Sequence, residues 1–385
     1  MDFLTLSIIF IGLFGILFCS VYIINLILPV SLEDIKYKSI DGLRGYLAFF
    51  VFLHHSYIWY FFLHGNAWEE PKSNLFNQFG QTSVLYFFMI TSFLFTRKLI
   101  EAKDQINWKR LFLSRFLRIF PMYFVSILTL LCIVAYESDF TINDKISHII
   151  RDTFKWLNFT ISGAPNLNNV NNTYLINAGV AWSLPFEWMF YFLLPILALG
   201  FKIKPSKKVR TITLVVLIYM ILENKPNLKL FLPFASGIVA ALLYDYKNRF
   251  QNYSQSISLI ILVLSVVSVI FFNHGKDFIP VLISTIIFIF ITFGNSFFGI
   301  LHWPISRKLG QITYSIYLVH GIILFIAFNY IIGIVEVSKF SVFNYWKTIA
   351  ICIFPILFLC QVCYLYIEVP FIKMTEKIMA RNSIK

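Results

Sequence analysis

The sequence predicts an all-α fold: a polytopic transmembrane helix bundle of about eleven spans, N-terminus outside and C-terminus in the cytoplasm. Three observations predict it. The chain is 58% hydrophobic and only 13% charged, with a mean hydropathy of +0.75, whereas soluble domains carry roughly 25% charged residues. Apolar runs approach, again and again, the ~20 residues needed to cross a bilayer. Lys and Arg cluster in alternate connections between those runs.

The expected spans are 3–29, 43–63, 82–96, 116–136, 180–201, 210–222, 229–245, 256–273, 278–301, 312–334 and 346–368. The first run is too long for the apolar core of a signal peptide, and neither a basic stretch nor a small-residue cleavage site accompanies it, so it is expected to be a retained helix. The shortest run is 210–222. Removing it would break the charge alternation, in which 23 of the 32 Lys and Arg residues fall in one set of connections. That set is assigned to the cytoplasm and runs from Lys36, Lys38 and Arg44 through Lys103 to the tail residues Lys373, Lys377, Arg381 and Lys385. The Asn-rich stretch around 161–173 is expected to be a loop. The organisation is then an extra N-terminal helix with its connection (1–40), a membrane domain (41–372) and a basic tail (373–385).

A net charge of +13 suggests nucleic acid in a soluble protein. Here the cationic residues lie between apolar runs, so positive-inside placement accounts for them and no nucleic-acid partner is expected. The five cysteines fall within apolar runs with neither a CxxC pair nor zinc-site spacing, which implies packing thiols and no metal.

Several motifs place ionisable groups where lipid makes them costly. The second span opens DGLRGYLAFFVFLHH, and Arg44 and His55 lie eleven residues apart. That spacing is close to three helical turns, so the two share a face roughly 16 Å apart along the axis. His55 is the candidate functional group at mid-membrane, while His54 points elsewhere and reads as structural. In RLFLSRFLRIFPMY, Arg115 and Arg118 are i,i+3 neighbours at the start of a span, a pairing that suits phosphate as well as ordinary anchoring. In AWSLPFEWMFY, Glu187 lies among aromatic rings and must pair or protonate. Trp182 and Trp188 read there as interfacial anchors. LGQITYSIYLVH puts Tyr314, Tyr317 and His320 in the tenth span, and YLYIEVPF puts Glu368 at the boundary of the last.

In order and spacing, these pieces resemble the acyltransferase-3 family of integral membrane O-acyltransferases. The pieces are DGLRG with Arg44-x10-His55, YFFMITSFLF (86–95), Arg115-x-x-Arg118-Ile-x-Pro121, WSLPFEWMFY (182–191), LGQITYSIYLVH (309–320) and YIEVPF (366–371). The resemblance implies transfer of an acyl group, most often acetyl, from cytoplasmic acyl-CoA to a hydroxyl of a cell-surface or exported glycan or lipid-linked sugar. It implies His55 as the catalytic base, with Arg44 and Glu187 as its catalytic partners. It implies Arg115 and Arg118 as the pair that binds CoA and matches Glu187 and Glu368 to the family's acidic positions; Arg97, Tyr317, His320 and Glu368 are placed with the pair as the candidate donor-binding set. Acyl-CoA is thus expected as the donor substrate, membrane lipid as the surroundings, and a bacterial inner membrane as the location. Where the family commonly has a Ser-Gly pair, this chain has Thr91-Ser92, which leaves close helix approach at that point without its usual residue. A transporter or flippase of a glycan or glycolipid is the alternative, since it too would need buried charges and an aromatic-lined path; no inverted repeat is visible in the sequence.

Overall fold

The computed structural model describes residues 3–32, 36–102 and 106–382; Lys103 and Lys385 of the basic set lie outside the described residues. It is all-helical, at 79% helix. Nine described helical segments are long and apolar enough to cross a membrane.

Helix α1 (Phe3–Ile27) is apolar on every side, and its spanning window is only 28% buried, so most of it faces lipid. Helix α2 (Lys38–Leu63) is buried over 61% of its window, and α3 (Asn74–Glu101), the most enclosed of the nine, over 72%. Then come α4 (Trp108–Glu137) and the short α5 (Ile146–Leu157). They are followed by α6 (Leu184–Gly200), α7 (Lys207–Asn224), α8 (Leu232–Leu243) and α9 (Ser254–Phe271). Next are α10 (Phe278–Thr292), α11 (Pro304–Gln311), α12 (Thr313–Ile326) and a single turn, α13 (Ile334–Val337). The chain closes with α14 (Val342–Cys363) and α15 (Val369–Asn382), joined by a π-helical turn, Tyr364–Glu368.

Each of the eleven expected runs contains a helix, although the run 278–301 leaves helix after residue 292 and only turns back at 300. Two of them, α7 and the 15-residue α10, fall outside the nine long apolar segments. The sequence did not signal α5, which is amphipathic. Ile146, Ile150 and Phe154 recur every four residues and are at least 62% exposed, while Trp156 is fully buried. That exposed apolar stripe suits a helix lying in the membrane interface. Residues 161–173 are irregular, and Asn168, Asn169 and Asn172 take left-handed backbone angles that asparagine tolerates.

Glycines set two contacts that position the site. A Cβ on Gly45 would lie 2.7 Å from the Gly310 nitrogen, and one on Gly42 would lie 2.0 Å from the Leu301 carbonyl oxygen. The glycines of DGLRG therefore let the stretch of α2 that carries Arg44 lie directly against α11 and the turn before it. At Thr91-Ser92 the helices also approach closely, but the glycine comes from the partner. A Cβ on Gly237 of α8 would meet the Ser92 hydroxyl at 2.0 Å and the Met89 carbonyl at 2.2 Å.

Candidate active site

A cavity of about 1000 Å³ opens at the face where α1–α2, α3–α4, α11 and α15 present their polar ends. Seven basic side chains line it, Lys36, Arg44, Lys98, Arg115, Arg118, Arg307 and Lys373, against three carboxylates, Asp41, Glu187 and Glu376. Its deeper wall is Phe87, Ser183, Tyr191, Tyr314 and Tyr317.

Helix geometry explains this convergence. Arg115 and Arg118 sit one turn apart at the start of α4 and both reach the cavity. The Arg115 guanidinium lies over the Phe95 ring at 5.1 Å, and its Nε has no hydrogen-bond partner. Among the described residues, neither arginine has a carboxylate within 4 Å. A partly buried guanidinium without a carboxylate at its side is costly, and an anionic ligand would relieve that cost. Arg44 is 4.0 Å from Asp41, a weak pairing at best. Glu187 accepts a long hydrogen bond, 3.4 Å, from Tyr191 one turn on.

Tyr317 lines the cavity. Its hydroxyl donates to the Val180 carbonyl at 3.0 Å and lies 2.9 Å from the Ser183 hydroxyl, so Ser183 donates to it. Phe87 packs edge-on to its ring. One turn further along α12, His320 meets His55 of α2, Nε2 to Nδ1 at 2.9 Å. His55 is not among the residues lining the cavity; its partner His320 lies one turn along α12 from the lining residue Tyr317.

The hydrogen bonds order the protons of this histidine pair. Nδ1 of His320 lies 2.8 Å from the Ile316 carbonyl, which can only accept, so Nδ1 carries the hydrogen. With both rings neutral, Nε2 of His320 is then a lone pair, and Nδ1 of His55 is the donor to it. Nε2 of His55 is left bare, the state a general base requires. On the side away from the basic mouth, the Trp68 ring lies nearly parallel to His55 at 6.3 Å, carried by the connection after α2. Glu70 of that connection pairs with Lys276 at 3.0 Å and with His274 at 3.2 Å.

The structure thus brings Arg44, Glu187, Arg115, Arg118 and Tyr317 to one cavity. It places His55 and His320 together behind it. Arg97 lies outside, held by Glu101 and Asp245 at 3.2 Å each, bonded to the Ala241 carbonyl, and stacked over Tyr244. Glu368 is buried at 2% exposure and accepts from Ser315 at 2.5 Å, also outside the cavity wall. Trp188 is not an interfacial anchor: it is 6% exposed and packs on Phe159 and Tyr191, because the face of α6 it occupies is turned inward. His54 is structural, its Nδ1 2.8 Å from the Phe76 carbonyl. Sequence reasoning missed Lys98, Arg307 and Lys373 as cavity residues, since end-of-helix cations look alike in sequence. It also missed Trp68, which lies in a connection without a recognisable pattern.

A family model described as an acyltransferase domain matches residues 37–365. No curated protein and no solved structure matches the chain.

Proposed function

Because the chain belongs to the acyltransferase-3 family, and is therefore a membrane acyltransferase, we propose that it moves an acyl group, acetyl in the first instance, from cytoplasmic acyl-CoA to a hydroxyl of a cell-surface or exported glycan. The observation that carries this reading is the basic-mouthed cavity ending one helical turn from a histidine pair with a bare Nε2. In this reading the basic mouth faces the cytoplasm of a bacterial inner membrane, with the N-terminus outside and eleven spans in all.

Arg115 and Arg118 hold the donor's phosphates through charge-assisted hydrogen bonds. The uncharged pantetheine arm runs up the cavity between Phe87 and Tyr314, and Arg44 positions it. The thioester passes Tyr317 by displacing its bond to Ser183. Nε2 of His55 takes the proton of the acceptor hydroxyl as that oxygen attacks the thioester carbonyl. The new C–O bond forms, the C–S bond breaks, and the leaving thiolate recovers the proton from His55. Throughout, Nδ1–H of His55 stays bonded to His320, so the imidazolium that forms transiently is held in register. Glu187 orients the acceptor.

The test is acyl transfer in membranes holding wild type or His55→Ala at matched levels, with labelled acetyl-CoA and label followed into glycan. Loss of a general base costs about 10²–10⁴-fold, so label should appear with wild type and fall to background with the variant. Equal labelling by both would remove His55 from the mechanism. Glycan that crosses the membrane unlabelled would support a transporter instead.

A further inference from the structure

The lining of the large cavity fixes how far it reaches into the bundle. On α3 the lining residues follow one stripe, from Lys98 through Leu94, Thr91 and Phe87 to Val84. Lys98 to Val84 is fourteen residues, about 21 Å of helix. Val84 lies one turn short of Gly80, where a Cβ would run into the His54 ring. On α12 the last lining residue is Tyr317, one turn short of His320. On both helices, then, the lining ends about one turn, roughly 5–6 Å, short of the histidines.

This end of the cavity is made of bulky side chains held on several sides. Phe87 is half-buried and packs edge-on to the Tyr317 ring at 6.1 Å. Tyr317 is 7% exposed, and its hydroxyl is tied to the Val180 carbonyl and to Ser183. Val84 is 5% exposed. The neighbouring Phe88 stacks on Phe234 at 4.6 Å, so α3 is braced from behind by α8. Packing of this density responds to a change of a single methylene.

We propose that Phe87, with Val84 one turn deeper, determines the length of the acyl group, admitting acetyl and rejecting chains as long as butyryl. The inference rests on the acyl-CoA reading above. In that reading the acyl group leads the pantetheine arm into the cavity and passes Tyr317 on its way to His55. It is therefore the part of the donor that meets Phe87 and Val84, and each added methylene has to push against one of them. Removing the Phe87 ring leaves space for several carbons.

The experiment is a competition in membranes holding the protein, with acetyl-CoA and butyryl-CoA carrying different isotopes in their acyl groups, and both labels followed into glycan. The ratio of the two labels does not depend on how much active protein is present, so a variant that merely folds less well loses both alike. Butyryl has two methylenes more than acetyl, and one methylene in a packed pocket discriminates by about 10- to 200-fold. Wild type should therefore prefer acetyl by at least about 10-fold, and Phe87→Ala should bring the ratio close to one. Val84→Ala should move it the same way by a smaller factor, and it decides the matter where Phe87→Ala transfers neither label. A ratio near one in wild type, or one favouring butyryl, overturns the proposal and leaves the acyl-CoA reading standing. So does a preference for acetyl that Val84→Ala and an active Phe87→Ala both leave unmoved. Label from neither donor with wild type overturns the acyl-CoA reading itself, and this inference with it.

Discussion

His320 accepts a hydrogen bond from His55 at 2.9 Å while donating its own Nδ1–H to the Ile316 carbonyl. A backbone carbonyl on α12 therefore determines which nitrogen of His55, on α2, is free to take a proton.

In the proposed mechanism His320 acts through His55 and is a positioning residue. Replacing it by Ala should lower kcat by between about 10-fold and the ~10⁴-fold known for a base held in the wrong tautomer, with the donor KM unchanged. His320→Gln offers an amide oxygen as acceptor and should recover part of the loss. Steady-state kinetics with both variants checks this; a fall in donor affinity alone would contradict it.

Arg115→Ala and Arg118→Ala should each raise the apparent KM for acyl-CoA by about 10- to 100-fold, the worth of a hydrogen bond to a charged group at 1.5–3 kcal/mol. Added salt should weaken the wild type toward the variants. Arg97→Ala should instead lower thermal stability at unchanged KM, because its partners Glu101 and Asp245 are within the protein. Donor saturation curves and melting in detergent separate the two behaviours.

Gly45→Ala puts a methyl 2.7 Å from the Gly310 nitrogen, where only backbone can give way. Overpacking of this kind costs about 1–3 kcal/mol. A lower midpoint of thermal unfolding is expected, and an unshifted one would mean that α2 and α11 separate easily.

Burial by itself would raise the pKa of Glu70, but hydrogen bonding and charge from Lys276, and the charge of His274, bring it below the ordinary carboxylate value. A depressed pKa means stability present above the unfolded value and lost as pH falls through the folded one. Acid, or Glu70→Gln at neutral pH, should therefore loosen the connection carrying Trp68. Hydrogen exchange across residues 64–73 should quicken in both cases, and exchange insensitive to the substitution would show that the ion pairs do not hold it.

The helices were legible because lipid demands long apolar runs, and the basic face because cations mark helix ends, although which of those cations line the cavity was not. Eleven-residue spacing put Arg44 and His55 on one face, but it could not reveal that one lines the cavity and the other does not. The pairing of His55 with His320 joins residues 265 apart in sequence, a relation that helical periodicity does not encode. Arg97 reads in sequence like Arg115. What distinguishes them is Asp245, brought in from a distant connection. The close approach at Ser92 was hidden for the same reason, since its glycine belongs to α8.

In the proposed mechanism the Tyr317–Ser183 bond would bear on waste. A donor held in the cavity before that bond opens would keep its thioester from His55. Idle turnover, in which the acyl group is lost to solvent as free acid, would then be suppressed, and an enzyme resting between acceptors would stay loaded without draining the cell's activated acyl groups.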